Sequence, residues 1–554
     1  MSAVTGLTPE RVVVVGYGPV ASRLVDELLP AVRAGKVELL VLGEEERPAY
    51  NRVLVAEVAV GRTTPEAITL ADPTELSRAG VQVELGVRVG ALDRERRQVL
   101  LSDGRTARYD RLVLATGARA AVPSLAGIRP TEDRLPTGVT ALRDLADAAR
   151  LRAAVRERRR IVVLGGGILG LEAALAASEE GADVTLVHSG PGPMARQLDR
   201  GGASVLTAAL RAQGVRVIAG ARAAGVTTEP GPDGLPRFRA LVLDDGTEVE
   251  GEALLLSCGV RPRVELARAA GLQVITGVVV DHELRADPEG RVLALGDCAE
   301  IRCSAPGCTR CTGHGPSGLI GPGWRQAEWL AARLTAAAGA GAGGAGAAGG
   351  APAGADADAG MSAEGPGVIL LKSRSVDLAA AGNVAPEPWD VEDDPAGAPP
   401  VHVAQWADPQ HGRYVKMVTR DGVLEGMVCV GMPRTAAELV LLFERRAELP
   451  ADRTSLLRLD AADEPAVAAS GPERTVCRCT GATLGSIDEA IGPGCDTVAA
   501  VGRATRAGTG CGGCHSTIRE RLAAWGAAQA AKATAATATA TASGQPALPA
   551  GLST

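Results

Sequence analysis

Arg11-Val-Val-Val-Val-Gly16-Tyr-Gly18-Pro-Val-Ala21 decides how the rest of this chain is read. Its four valines spell a buried strand, and Gly16-x-Gly18-x-x-Ala21 spells the tight turn from that strand into a helix. Glycine lets a backbone approach a pyrophosphate closely, while the helix N-terminus offers unpaired N–H groups and a partial positive charge. Pro19 suits the first helical turn, where an N–H would be unpaired anyway. A second strand, Val37 to Leu42, ends in Gly43-Glu44-Glu45, and an acid there can hold the hydroxyls of an adenosine ribose. Glu44 is the first choice and Glu45 the alternative; solvated loop acids are the plain reading of both.

Working outward, Arg47-Pro-Ala-Tyr-Asn-Arg52 follows the ribose strand. Arg52 there can stand beside a reduced, anionic flavin ring, or the cluster can simply cap a helix. Strands are expected over Val81–Leu85 and Gln98–Leu101, and then Arg111-Leu-Val-Leu-Ala-Thr116-Gly117-Ala118 closes the unit. A second glycine turn, Gly165-Gly-Gly167-Ile-Leu-Gly170-Leu-Glu172, follows the strand Ile161–Leu164, so Gly165, Gly167 and Gly170 form a full G-x-G-x-x-G. Its partner strand, Asp183 to Val187, ends in His188-Ser189. An acid there would select NADH and an arginine NADPH, so the choice stays open. Arg196 is a candidate phosphate contact or an ordinary surface arginine, and Glu172 can reach toward the nicotinamide or only favour the helix dipole. A second strand-end turn, Ser257-Cys258-Gly259, and then Leu295-Gly296-Asp297-Cys298-Ala299 complete the pattern. Asp297 suits a hydrogen bond to the ribityl chain of FAD.

With these motifs in this order, Arg11 to about Leu334 resembles the glutathione-reductase-like two-dinucleotide flavoproteins. The resemblance implies a two-domain α/β fold, with FAD held by Gly16, Gly18, Ala21, Glu44, Arg52, Thr116, Gly117 and Asp297. It implies NAD(P)H on Gly165, Gly167, Gly170 and Glu172. No C-x-x-x-x-C stands where a disulfide reductase of this fold carries one, so electrons must leave the flavin another way. No separate catalytic side chain is needed, with Glu172 and Arg52 the helpers to consider.

That way out is written in Cys477-Arg-Cys479 and Cys511-Gly-Gly-Cys514. Four thiolates suit a [2Fe–2S] cluster; zinc is the alternative, although C-x-C is a less usual zinc spacing. The segment, matched at these cysteines and their glycines, resembles the bacterioferritin-associated-ferredoxin-like domain, a small helical [2Fe–2S] module. Taken together, the chain resembles the large subunits of NAD(P)H nitrite reductases. Because the sirohaem region of those subunits does not follow here, it is similar also to the electron-transfer subunits of assimilatory nitrate reductases. The resemblance implies that NAD(P)H electrons pass through FAD and the cluster to a catalytic partner, a molybdopterin nitrate reductase or a sirohaem nitrite reductase. A ferredoxin or rubredoxin reductase, and a docking module with a structural flavin, are the alternatives.

The chain departs from that pattern at Cys298, Cys303, Cys308 and Cys311, with His314 close by. Cys303-x₄-Cys308-x₂-Cys311 has a plant-type ferredoxin spacing without its last cysteine. Cys298 or His314 could complete a zinc or iron site, or the loop is an insertion with plain thiols.

The 554 residues suffice for three or four domains, and the net charge of −7 argues against binding nucleic acid or an anionic membrane. Aromatics make up 2 %, so the cores must rest on Val, Leu and Ala. The start runs directly into the nucleotide strand without room for a signal peptide, and no stretch has the composition of a membrane span. A cytoplasmic location is expected, and with it metal-ligating rather than disulfide-bonded cysteines among the eleven. We expect FAD-binding segments at 10–140 and 263–335, the second with the cysteine insertion, around an NAD(P)H-binding unit at 141–262. A Gly/Ala-rich linker at 336–367, with a reach on the order of 30 Å, leads to a small α/β domain at 368–449 suited to homodimerisation. A second linker at 450–473, the cluster domain at 474–525 and a disordered Ala/Thr tail at 526–554 follow.

Overall fold

The structure, a computed structural model, describes residues 8–128, 135–232, 234–303, 308, 311, 315–316, 318–340, 360–361, 367–371, 373–389, 399–460, 471–477, 480–491, 495–510 and 512–542. Two compact units divide the chain, one up to Glu464 and one from Pro465.

In the first unit, β1 (Glu10–Val15) turns into α1 (Pro19–Arg33) and returns as β2 (Val37–Gly43). With β3 (Gln82–Leu85) and β4 (Arg111–Leu114) they build a parallel sheet in the order Val292–Ala294, β4, β1, β2, β3. Helices cover both faces of a parallel sheet, which is why β1 and β4 read as unbroken apolar runs rather than alternating ones. Val12, Val13 and Val14 are accordingly closed to solvent. The second sheet repeats the plan. There β5 (Arg160–Leu164), α2 (Ile168–Glu179) and β6 (Asp183–His188) are followed by β7 (Ala253–Leu256). The order is Arg216–Ala219, β6, β5, β7, Val139–Ala141, again parallel. The chain crosses between the two halves through Ala118–Ala120 and Val260–Pro262, which pair antiparallel.

An antiparallel sheet follows in the order Ile369–Leu371, Leu378–Gly382, Val423–Val430, Arg413–Arg420, Val401–Asp408, backed by the helix Pro433–Arg445. Its tightest hairpin turns on Asp421 and Gly422, with φ of 51° and 78°. Left-handed conformation at both central residues matches the twist of the strands, and Asp-Gly accepts it at little cost. The sheet leans on α3 (Arg200–Ala212) through Gly201 and Gly202, where an added Cβ would stand 2.6 Å from the Tyr414 ring and 2.8 Å from Val428. Asp199 caps α3 by accepting from the Gly202 N–H at 3.1 Å, and its other oxygen accepts from Tyr414 Oη and from Lys416 Nζ.

Two boundaries differ from expectation. Helix α4 (Ile320–Ala340) runs past residue 336, and the helix His515–Ala542 runs well into the segment expected as a disordered tail. Alanine loses no side-chain entropy on entering a helix, so Ala-rich sequence extends one readily where low complexity alone suggests a loose chain.

The second unit pairs Thr475–Cys477 with Ala482–Thr483 and packs the helices Leu484–Ile491, Val498–Thr505 and His515–Ala542. Ile487, Val501 and Ile518 form its core with Cys477 and Cys514. Arg521 ties the last helix to the first through two bonds of 2.7 Å to Asp488. Among the described residues no helix is long and apolar enough to cross a membrane.

Candidate cofactor sites

The two glycine turns have the same anatomy. Gly16 has φ of +102°, and a Cβ there would lie 2.3 Å from the carbonyl oxygen of Ala115 at the end of β4. Gly165 has φ of +122°, and its Cβ would lie 2.1 Å from the carbonyl of Ser257 just after β7. Both first glycines are therefore required by backbone pressing on backbone. The second glycines face open space: around Gly167 nothing lies within 4 Å, and around Gly18 only Arg52 Nε at 3.8 Å. Gly170 closes the second turn against the Gly165 carbonyl, where a Cβ would stand 2.3 Å away, and the buried Ala21 holds the equivalent place in the first. Gly18 and Gly167 cap α1 and α2 without any side-chain hydrogen bond. Uncapped helix N–H groups beside an open glycine are what a pyrophosphate needs, so both cradles fit a dinucleotide.

Around the first cradle, Glu44 is exposed at the end of β2 and pairs with Arg263 at 2.7 Å. Glu45 turns the other way, accepting from Tyr50 Oη at 2.8 Å and pairing with Arg52. Arg52 also lies over the Tyr50 ring, 4.9 Å from its centre, and reaches the Arg143 carbonyl at 3.4 Å. Burial pushes the Tyr50 pKa up, with Glu45 adding to it and Arg52 opposing, so the hydroxyl stays protonated. The capping reading of Tyr-Asn-Arg is seen here, since Asn51 caps the short helix Arg52–Leu54 by accepting from the Val53 N–H at 3.0 Å. Thr116 Oγ1 donates to the Arg263 carbonyl at 2.7 Å and Gly117 accepts from the Arg263 N–H at 2.9 Å, so this strand end is fixed by the returning chain. Asp297 pairs with Arg143 Nη2 at 2.6 Å, and the neighbouring Gly296 N–H donates to Gln326 of α4 at 2.8 Å. Arg143 carries no local signal in the sequence, because its partner is 154 positions away.

At the second cradle, Glu172 is buried in α2 and Arg196 is exposed. His188, at the end of β6, lies under the turn: its ring stands 3.0 Å from where a Gly166 Cβ would be. Burial lowers its pKa below 6.5, weakly opposed by the Gly190 backbone, so the ring is neutral at pH 7.

Of the expected cluster ligands, Cys477 and Cys514 are buried in the second unit, while Cys479 and Cys511 lie outside the described residues. Gly508 and Gly512 hold φ of +82° and +75° in the loop before Cys514, and His515 Nε2 lies 2.8 Å from the Gly508 carbonyl.

The extra cysteines gather, but with a partner the sequence reading did not name. Cys303, Cys308 and Cys311 meet His282, with the four ligand atoms all within 4.8 Å of one another. Cys298 is not in this group: fully buried in the flavin-side core, its Sγ faces the carbonyls of Leu114 and Leu295 at 3.3 Å. It sits in the short turn Gly296–Cys298, one residue before the strand Ala299–Ile301, and that turn points it inward, so of the two candidates to complete the site Cys298 is ruled out. His314 lies outside the described residues.

Comparison with known proteins agrees with this anatomy. Residues 10–316 match the model of the pyridine nucleotide-disulphide oxidoreductase family, and residues 475–524 match the BFD-like [2Fe-2S] binding domain. The chain is 31 % identical over 526 residues to the nitrite reductase [NAD(P)H] large subunit of Klebsiella oxytoca, covering 93 % of this chain and 49 % of that one. It is 25 % identical over 514 residues to the assimilatory nitrate reductase electron transfer subunit of Bacillus subtilis (strain 168), covering 93 % and 59 %. The chain thus spans about half the length of the relatives it matches. Among solved structures, the covalent putidaredoxin reductase–putidaredoxin complex shares the fold, with a TM-score of 0.64 at 22 % identity over 82 % of this chain and 99 % of that one.

Proposed function

The chain belongs to the pyridine nucleotide-disulphide oxidoreductase family, and from that premise we propose that it draws electrons from NAD(P)H and passes them singly to a separate reductase. When bound, FAD takes a hydride from NAD(P)H and releases electrons one at a time, and a [2Fe–2S] cluster carries them singly. The residues of the chain bind and orient. Gly16, Gly18 and Ala21 hold the FAD pyrophosphate over the start of α1, Glu44 takes the adenosine ribose, and Thr116 and Gly117 shape the strand end beside it. Asp297 meets the ribityl chain, its carboxylate aimed by Arg143. Arg52, clamped by Glu45 and Tyr50, places a fixed positive charge beside Gly18. Gly165, Gly167 and Gly170 hold NAD(P)H on α2, with Glu172 behind them. Cys477, Cys479, Cys511 and Cys514 hold the cluster.

The observation that carries this reading is the pair of cradles, each with its first glycine pressed on a strand end and its second left open, in one chain with a cluster domain. Two cradles without an acceptor would serve a closed flavin reaction, whereas the cluster domain supplies a one-electron exit. Similarity to a nitrate reductase electron transfer subunit and to a nitrite reductase large subunit supports a nitrate or nitrite reductase as the partner. An anaerobic titration with NADH, then NADPH, tests it. Flavin absorbance should bleach, and the paramagnetic signal of a reduced [2Fe–2S] cluster should then grow. Bleaching without that signal, at full occupancy of iron, would sink the electron path.

A further inference from the structure

Three half-buried thiols and one imidazole converge beside the flavin-binding sheet, outside everything used above. The strand Val278–Val280 pairs in parallel with Ala299–Ile301, with Val280 opposite Ile301. His282 follows the first strand by two residues and Cys303 follows the second by two, so both leave the ribbon at the same end. Cys308 and Cys311 return to that end from the next loop. We propose that His282 Nε2 and the Sγ atoms of Cys303, Cys308 and Cys311 bind one zinc ion that clasps this corner of the fold.

Four features support a metal rather than a chance cluster. His282 Nε2 stands 3.3 Å from Cys308 Sγ and 3.3 Å from Cys311 Sγ, close to the roughly 3.5 Å edge that Zn–N and Zn–S bonds of about 2.0 and 2.3 Å give in a tetrahedron. The other ring nitrogen faces the Met361 carbonyl, and the Met361 N–H donates back to the His282 carbonyl at 2.6 Å. Donation from Nδ1 leaves the lone pair on Nε2, aimed at the sulfurs, which is how a ligating histidine is usually held. Gly360 reaches this position at φ of +70°, where a Cβ would lie 2.8 Å from the His282 carbonyl, so the backbone itself is shaped to support the imidazole. Finally, the Cys303 N–H donates to Cys311 Sγ at 3.1 Å, a bond that holds this sulfur beside the other ligand atoms.

The donor set then selects the ion. Three thiolates with one imidazole form a closed, tetrahedral structural zinc site of the Cys₃His type. A [2Fe–2S] cluster spreads its ligands over two irons, farther apart than the 4.8 Å that bounds all four atoms here. None of the three cysteines forms a disulfide. Binding moves no electrons: the thiols release their protons to solvent and the ion takes their place. The clasp lies just downstream of Asp297, whose neighbour Gly296 bonds to α4, so it braces the segment proposed to meet the flavin.

The full chain, purified anaerobically and reconstituted with zinc under reducing conditions, tests the proposal by metal analysis and X-ray absorption at the zinc edge. One zinc per chain is expected, in addition to the cluster's irons, with a shell of three sulfurs at about 2.3 Å and one nitrogen at about 2.0–2.1 Å. The double variant Cys308→Ser/Cys311→Ser should lower the zinc content at least about tenfold while iron and bound flavin persist. Absence of zinc, a shell of four sulfurs, or iron that the double variant removes would each overturn it. The absorption measurement needs no variant, so it decides even if the substituted chain folds poorly.

Discussion

Lys416 Nζ stands 3.5 Å from Asp199 Oδ2, with Lys416 wholly enclosed and 217 positions of chain between the two. This ion pair sits where the C-terminal sheet meets α3, and Glu387 completes it at 3.2 Å from the ammonium. A charge buried without its partner costs far more than the pair contributes, so Lys416→Ala should destabilise the first unit by about 3–5 kcal/mol. Lys416→Met combined with Asp199→Asn should recover part of that loss, because the charge left behind, on Glu387, is open to solvent. Chemical denaturation followed by far-UV circular dichroism measures both; a loss below about 1 kcal/mol for Lys416→Ala would show that water reaches the pair.

His188 should make the first unit sensitive to mild acid. Its pKa is lowered in the folded state by burial, so the unfolded chain binds the proton first as pH falls. Its contribution is whole above the unfolded value of 6.5 and is lost as pH drops below it toward the lower folded value. The unfolding free energy measured between about pH 7 and 5 should therefore slope less steeply in His188→Gln. An unchanged slope would assign the acid sensitivity to other groups.

Gly16→Ala and Gly165→Ala should separate the two cradles. Each places a Cβ within about 2.3 Å of a backbone carbonyl and forces an L-residue to positive φ. Strain of that kind costs of order 1–3 kcal/mol, or tenfold and more in affinity. Gly16→Ala should purify depleted of FAD. Gly165→Ala should keep its flavin but show an NADH KM raised about tenfold or more, read by steady-state reduction of a dye acceptor. Equal flavin loss in both variants would mean that the glycines serve folding rather than separate ligands.

Cys514→Ser should cut the electron path after the flavin. Cys514 is buried in the core of the second unit, and a serine there removes a thiolate from the proposed cluster. Flavin bleaching by NAD(P)H should persist within about twofold of the unmodified rate, since hydride transfer needs only the first unit. The reduced-cluster signal and turnover with a one-electron protein acceptor should vanish. Normal acceptor turnover in that variant would place the exit elsewhere.

The fold was legible in the sequence wherever neighbours in sequence are also neighbours in space. Val12 to Val15 followed by Gly16 forms a strand and turn by local geometry alone, and the same holds for Ile161 to Gly165. Asp421-Gly422 turns its hairpin by local geometry in the same way. Reading was weaker where composition stood in for structure: alanine-rich stretches looked loose yet continue helices to Ala340 and Ala542.

Contacts between distant segments were not legible. Asp297 could be singled out as a strand-end acid, but not that Arg143 holds it. Cys303, Cys308 and Cys311 stood out through their spacing, yet the residue that meets them, His282, lies two positions past the other strand of a two-stranded ribbon. Cys298, one of the two candidates to complete the group, sits in the turn before the other strand and faces carbonyls of the core. Which strand ends coincide depends on pairing register, here Val280 with Ile301. The sequence by itself therefore determined the two nucleotide cradles and the cysteine-bearing C-terminal module, because their chemistry resides in short contiguous motifs. Only the tertiary structure decided what completes each constellation, because burial and register bring together groups that the chain keeps far apart.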